Sequence, residues 1–290
     1  MEMSNSSALD NRYFARRPGG GPVPLPPRRV RPGRLEAMAI HPAALLWDVD
    51  GTLAETELDG HRRAFNRAFA SAGLPWRWDR TQYLALLRIS GGRERLSHFL
   101  TAVEGQPPAP ERVQALHQEK QRHYRALLVA GELRLRPGVA RLMAAAAAAG
   151  LPQAIVTTSG RSAVAPLLER LLPQHLDDLQ LRICGEDVSR MKPHPEAYRL
   201  ALAELRLPPQ QVIAIEDSAN GLAAAHGAGL AVLLTRSAAS AAEPESAFTA
   251  AAAQLDHLGD PQQPCRVLHG PACPQGLVTL SWLQQLVQQR

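Results

Sequence analysis

Leu45-Leu46-Trp47-Asp48-Val49-Asp50-Gly51-Thr52 is the stretch from which the rest of the chain is read. A short apolar run stops at two carboxylates one residue apart, and a glycine follows that can turn the chain. Side chains two apart on a strand share a face, so Asp48 and Asp50 both address one site where the strand gives out. Two close carboxylates repel each other and resist desolvation unless a cation or a proton intervenes. A plain Asp-Gly surface turn is the alternative. A calcium loop does not fit, because the sixth position counted from Asp48 is Leu53, where that loop needs glycine. The stretch therefore reads as a metal-dependent acidic site at a strand end.

Downstream, no strand pattern occurs between Thr56 and Glu132. Residues 61–72 place Ala64, Phe65, Ala68, Phe69 and Ala72 on one helical stripe closed by Gly73. Asp79 can cap a second helix running to Ile89, a third is expected over 93–103, and a fourth, rich in charge, over 111–130. This is a helical subdomain inserted after the first strand. Strands and helices then alternate. The apolar run Ala154-Ile155-Val156 stops at Thr157-Thr158-Ser159, and Leu181-Arg182-Ile183 leads into a loop at 185–194 that carries Lys192. Val212-Ile213-Ala214-Ile215 stops at Glu216-Asp217-Ser218, and residues 230–234 form the last clear strand. This order specifies an α/β fold with a mainly parallel sheet.

Length and composition set the outer bounds. The 290 residues suffice for one large or two small domains. No apolar run is long enough to cross a bilayer, and no apolar segment follows the N-terminal arginines. The formal net charge is +5, but residues 1–40 hold seven arginines against three acids, which leaves +1 for all the rest. A basic nucleic-acid-binding face is not implied. Residues 1–37 are rich in Pro, Gly and Arg and read as a disordered tail. Met38 lies just before the first strand and is a candidate natural start. Cys184, Cys265 and Cys273 are odd in number and lack a metal-binding or redox spacing, which suits a cytoplasmic protein.

Open parallel sheets bind ligands at the carboxyl ends of their strands. Three apolar runs here end in Asp48/Asp50, Thr157/Thr158 and Glu216/Asp217, with Lys192 in a connecting loop. Together these supply carboxylates for a hard divalent cation, hydroxyls and amides for phosphate oxygens, and a lysine to offset anionic charge. Mg²⁺ suits such oxygen ligands.

With those residues in view, the chain resembles the haloacid dehalogenase-like hydrolase superfamily. Asp48-Val49-Asp50-Gly51-Thr52 is similar to its first motif, Thr157 to its second, Lys192-Pro193 to its third and Glu216-Asp217-Ser218 to its fourth. The likeness covers residues 43 to 235. It implies a Rossmann-like core at 40–54 and 133–262, an α-helical cap at 55–132, and a C-terminal extension at 263–290 packed on the core. It also implies that Asp48 attacks phosphorus, that Asp50 serves as acid and then base, and that Thr157 and Lys192 screen the charge. Asp48, the Asp50 carbonyl and Asp217 would hold Mg²⁺ with Glu216 close by, and the Thr158 amide would touch phosphate.

Within the cap, Ala54-Glu55-Thr56-Glu57, Gly60-His61-Arg62, Trp78–Tyr83 and Gly91-Gly92-Arg93-Glu94-Arg95 resemble the CbbY group. These are phosphatases selective for xylulose-1,5-bisphosphate, a misfire product that inhibits the Calvin-cycle enzyme Rubisco. The resemblance assigns Glu57, His61, Tyr83, Gly91, Gly92, Arg93 and Arg95 to the sugar and its second phosphate. It implies a functional link to Rubisco without a required direct contact, and a monomer is expected. His61 stands one position further from Asp48 than in some bacterial members. Phosphoglycolate phosphatase and β-phosphoglucomutase-like activities share the core motifs and are the nearest rivals. A signalling receiver domain also clusters aspartates, Mg²⁺ and lysine, but its phosphorylated aspartate ends a middle strand and no helical insert follows the first. In a more local reading, His194 and His226 are structural, Glu186 caps a turn, and Asp187 either does the same or orients Lys192.

Overall fold

The computed structural model describes residues 41–289; the tail at 1–37 and the start expected at Met38 lie outside them. β1 (Ala44–Trp47) is flanked by β2 (Gln153–Val156) and β4 (Val212–Glu216), both parallel to it. β3 (Leu179–Ile183) and β5 (Ala231–Thr235) continue the parallel sheet on either side. Trp47 is level with both Ile155 and Ile215, so the residues that follow emerge side by side at one carboxyl edge. The strand expected to be last is not. β6 (Ala253–Leu255) adds in parallel and β7 (Val267–His269) closes the sheet antiparallel, giving the order β3-β2-β1-β4-β5-β6-β7. Each is three residues long, too short for an alternation to register.

Among the described residues no strand occurs between Thr56 and Glu132. A π-helical turn, Glu57–Arg62, runs directly into α1 (Arg63–Ser71), followed by α2 (Arg80–Leu86), α3 (Gly92–Glu104) and α4 (Pro110–Val129). Ala64, Phe65, Ala68 and Phe69 are buried as their spacing requires. Ala72 is exposed instead, because α1 ends at Ser71 and Gly73 turns the chain at φ +66°. Asp79 caps α2 by accepting the Gln82 amide at 2.7 Å, and that helix stops three residues short of Ile89. The helices share an aromatic core in which Trp78 meets Phe69 and Phe99 edge-on at centroid distances of 5.0 and 5.1 Å.

The sheet is covered on both faces, as its continuous apolar strands demand. Leu45, Trp47, Ile155 and Ile215 pack beneath α5 (Val139–Ala148), α6 (Arg161–Leu171) and α9 (Leu280–Gln288). Leu46, Val156 and Ala214 face α7 (Glu196–Leu205) and α8 (Ala219–Gly227). The two linkers to the helical insert pair with each other: Ala54 bridges Leu135, and the Arg136 amide donates to the Leu53 carbonyl at 2.8 Å. The buried Arg136 guanidinium donates to the carbonyls of Gly51, Thr235 (2.9 Å) and Asp256 (2.6 Å). The turn after Asp50 is thereby tied to the ends of two other strands.

Candidate active site

Asp48, Glu216 and Asp217 meet at the carboxyl edge, each offering an oxygen within 4.8 Å of the others, and all three are buried. Lys192 arrives from the 185–194 loop. Its ammonium donates to Asp48 Oδ1 at 2.7 Å, Glu216 Oε1 at 2.6 Å and the Val156 carbonyl at 2.8 Å, which uses all three of its donors. Glu216 Oε1 also accepts the Tyr198 hydroxyl at 2.5 Å. Its second oxygen lies against Gly221, where a Cβ would stand 1.9 Å away. Glu216 therefore anchors Lys192, while Asp48 and Asp217 are the carboxylates with room for a cation. Asp217 is steadied by the Ser237 hydroxyl, which donates to Oδ2 at 2.6 Å.

Three buried carboxylates against one lysine leave an excess of negative charge. Burial pushes the Asp48 carboxyl up to about 7, Glu216 adds to this, and Lys192 opposes it. Burial, then Asp48 and Glu216, raise Asp217 well above the carboxylate range. Such a cluster calls for a cation, and its donors are oxygens only, the set that suits Mg²⁺.

Asp50 faces a different set of partners. Its Oδ1 accepts Thr56 Oγ1 at 2.5 Å and His61 Nε2 at 2.9 Å, and its Oδ2 accepts the Ser159 hydroxyl. Burial alone would raise its pKa, but His61, together with the Ser159 and Thr56 hydroxyls, holds it far below the usual range. His61 lies in the π-turn Glu57–Arg62, which is one residue wider than an α-turn. His61 stacks on Tyr124 at 4.4 Å. Its Nδ1 lies 2.9 Å from Nζ of the buried Lys120. A charged lysine can only donate, so Nδ1 accepts and Nε2 carries the proton given to Asp50.

Thr157 is buried beside this edge, with its Oγ1 accepting the Ser159 amide at 3.1 Å. Thr158 lines a cavity of about 590 Å³ together with Asp48, Asp50, Lys192 and Asp217 from the sheet edge and Glu57, Arg88 and Arg95 from the insert. Tyr83 is fully buried and donates to Glu57 Oε2 at 2.5 Å. The Arg95 guanidinium donates to the Tyr83 hydroxyl at 3.1 Å and the Leu86 carbonyl at 3.2 Å. Gly91 has φ +87°, and a Cβ there would stand 2.9 Å from Met191 Sδ of the sheet domain, so the two parts touch at this glycine. Gly91 and Gly92 line a second, small pocket with His61, His117 and Lys120. Burial, then Lys120 and Arg93, push His117 down to about 3.

Arg93 lies at the margin of the site, near enough to His117 to lower its pKa. It is exposed and lines neither cavity. Residues two apart on a helix differ by roughly 200° in direction, so Arg93 and Arg95 cannot both face inward. Nor does Asp187 orient Lys192: it accepts the Cys184 amide at 2.8 Å and pairs with Arg161. Sequence reading missed Lys120, Tyr198, Ser159 and Ser237. Lys120 stands in a run of charges that looks like a solvated helix face, and Tyr198 looks like an ordinary apolar helix position. No local signal distinguishes them.

Comparison with known proteins accords with this geometry. The haloacid dehalogenase-like hydrolase family matches over residues 42–229. Protein CbbY of Cereibacter sphaeroides is 45% identical over 193 residues, covering 66% of this chain and 83% of that one. A CBBY-like protein of Arabidopsis thaliana is 37% identical over 230 residues, covering 77% and 71%. A crystal structure of a CbbY mutant from Rhodobacter sphaeroides, in complex with xylulose-(1,5)bisphosphate, is similar at a TM-score of 0.69 and 41% identity, covering 74% of this chain and 94% of that one. The chain belongs to the haloacid dehalogenase-like hydrolases, among the phosphatases of the CbbY type.

Proposed function

We propose that this phosphatase hydrolyses a sugar phosphate through an aspartyl phosphate on Asp48, and that its substrate is xylulose-1,5-bisphosphate. The observation that carries the reading is the pairing of two carboxylates with opposite surroundings at one cavity. Asp48 sits with Lys192 and Asp217, and Asp50 sits with His61, Ser159 and Thr56. The Asp48 carboxylate attacks phosphorus. Lys192, already on Asp48, offsets the charge that gathers as a carboxylate approaches a phosphate dianion, and the Thr158 amide steadies a phosphate oxygen. Asp50, ionised at rest, gives the departing sugar oxygen a proton received through His61 Nε2 as Lys120 reprotonates Nδ1, and later takes one from the water that cleaves the acyl phosphate. Asp48, the Asp50 carbonyl and Asp217 are the groups that would hold Mg²⁺, which when bound neutralises charge on the phosphoryl oxygens.

The substrate assignment is supported by the likeness to CbbY, one of whose structures holds xylulose-(1,5)bisphosphate. Glu57, Tyr83 and Arg95 form the sugar-facing cluster in this reading. The enzyme would remove an inhibitor of Rubisco in the cytoplasm, as a monomer and without touching Rubisco. Among the described residues, no helix is long and apolar enough to cross a membrane. The test is phosphate release, with and without Mg²⁺, from a panel of sugar mono- and bisphosphates. Preference for xylulose-1,5-bisphosphate supports the reading. Preference for 2-phosphoglycolate, or conversion of β-glucose 1-phosphate to the 6-phosphate, replaces it with the corresponding rival.

A further inference from the structure

Cys265 and Cys273 follow no redox motif in the sequence, yet the fold brings them together. Both lie beyond residue 229, where the match to the hydrolase family ends, and neither lines the catalytic cavity. Cys265 is buried, Cys273 is partly exposed, and both pack on the core cluster that includes Trp282 and Leu283 of α9. The backbone holds them in one frame. The Cys265 amide donates to the Gly276 carbonyl at 2.8 Å, and the Gly276 amide donates to the Cys273 carbonyl at 3.1 Å. Gly276 has φ +63°, and a Cβ there would stand 2.9 Å from the Cys265 nitrogen, so the turn after Cys273 lies directly on Cys265. Just before Cys273, the Ala272 carbonyl accepts Trp282 Nε1 at 2.9 Å, which fastens the turn to α9. Within this frame the Cys265 thiol hydrogen-bonds the Cys273 sulfur, and neither is in a disulfide.

We propose that Cys265 and Cys273 form a reversible redox-modification site, closed to a disulfide by a low-molecular-weight disulfide such as oxidised glutathione. The inference is independent of the substrate reading. The roles of the two thiols follow from their surroundings. The hydrogen bond from Cys265 lowers the Cys273 thiol, burial opposes this, and the Arg141 guanidinium lowers it further. Arg141 is itself fixed by the carbonyls of Gly259 and Leu258, each at 3.0 Å. The thiolate is the nucleophile, so the partly exposed Cys273 attacks first. It takes one sulfur of oxidised glutathione, breaks the glutathione S–S bond and expels a glutathione thiolate. Capped in this way, the Cys273 sulfur no longer holds the Cys265 proton. Cys265 then loses that proton and attacks the Cys273 sulfur, which expels the second glutathione and closes the protein disulfide. Two protein thiols are oxidised, one glutathione disulfide is reduced to two thiols, and the two protons pass to them. Cys184 is an internal control: it is buried, and burial pushes its thiol up to about 11.

The test exposes the full-length protein to oxidised glutathione at about pH 8, alkylates the remaining thiols after denaturation, and maps tryptic peptides without reduction. Trypsin cuts after Arg266, so the two cysteines fall on separate peptides that only a disulfide joins. The expected result is that joined pair with Cys184 alkylated, and dithiothreitol should restore alkylation of all three cysteines. Cys265→Ser should stop at a mixed disulfide with glutathione on Cys273. Cys273→Ser should slow the oxidation of Cys265 roughly tenfold or more, because a buried thiol without the first nucleophile reacts poorly. Wild-type protein in which Cys265 and Cys273 both remain alkylatable overturns the proposal. So does a mixed disulfide that persists on wild-type Cys273, or a disulfide between two copies of the chain. Oxidation of Cys265 at an unchanged rate in Cys273→Ser overturns the assignment of Cys273 as the attacking thiol.

Discussion

Replacing Lys120 by methionine separates what this lysine does for the fold from what it does for the chemistry. It is buried, and burial brings its pKa from 10.5 down to about 8 against the pull of Asp50 and Glu57. Holding it charged at neutral pH then costs the folded state about 3 kcal/mol. For a base with a lower pKa folded than unfolded, that cost is present in full below pH 8 and fades as the pH climbs toward 10.5. Methionine has similar length and asks for no solvation. Against this stand the lost contact with His61 and the cation–π approaches to Phe65 and Tyr124, each at 5.2 Å, together worth about 1–2 kcal/mol. We expect Lys120→Met to be more stable by about 1–2 kcal/mol, with a thermal midpoint raised by roughly 2–8 °C. Turnover should move the other way. Once Nδ1 loses its donor, the His61 tautomer that gives its proton to Asp50 is no longer enforced, and kcat should fall roughly ten- to hundredfold. Thermal unfolding and phosphate release in one buffer at pH 7 read both quantities. Wild-type turnover in this variant would refute the Lys120–His61–Asp50 arrangement as functional, and lowered stability would refute the argument from burial.

Asp48→Asn should retain its far-UV circular dichroism and lose phosphate release by roughly a thousandfold or more, since an amide is no nucleophile; turnover within tenfold of wild type would sink the mechanism. Asp48 and Asp217 have carboxyls raised by folding, so between about pH 4 and 7 the folded state binds more protons than the unfolded one, and stability falls as pH rises. Metal-free protein should therefore melt lower at pH 8 than at 5.5, and saturating Mg²⁺ should raise the midpoint more at pH 8; a Mg²⁺ effect equal at both would count against the cation site. Gly51 has φ +87°, and a Cβ there would stand 2.1 Å from Asp217 Oδ2. Gly51→Ala should raise the half-saturating Mg²⁺ concentration roughly tenfold or more in a titration of activity or of melting temperature, and an unchanged value would mean that Asp217 is not a ligand.

The letters of the chain alone determined the α/β class and the edge where the chemistry sits. Parallel strands buried on both faces must be apolar throughout, so the abrupt stops at Asp48, Thr157 and Glu216 mark strand ends and their common side. β6 and β7 escaped because three residues carry no period, and β7 lies exposed at the sheet edge. Only the tertiary structure decided which charges meet. Lys120 reaches His61 across 59 residues, and Ser159 reaches Asp50 across 109; nothing local encodes either contact. Arg93 and Arg95 are the same residue two positions apart, yet the turn of one helix sends one to solvent and the other to Glu57. Local sequence sets periodicity and chain direction, whereas burial, charge pairing and the facing of a side chain depend on where distant segments come to rest.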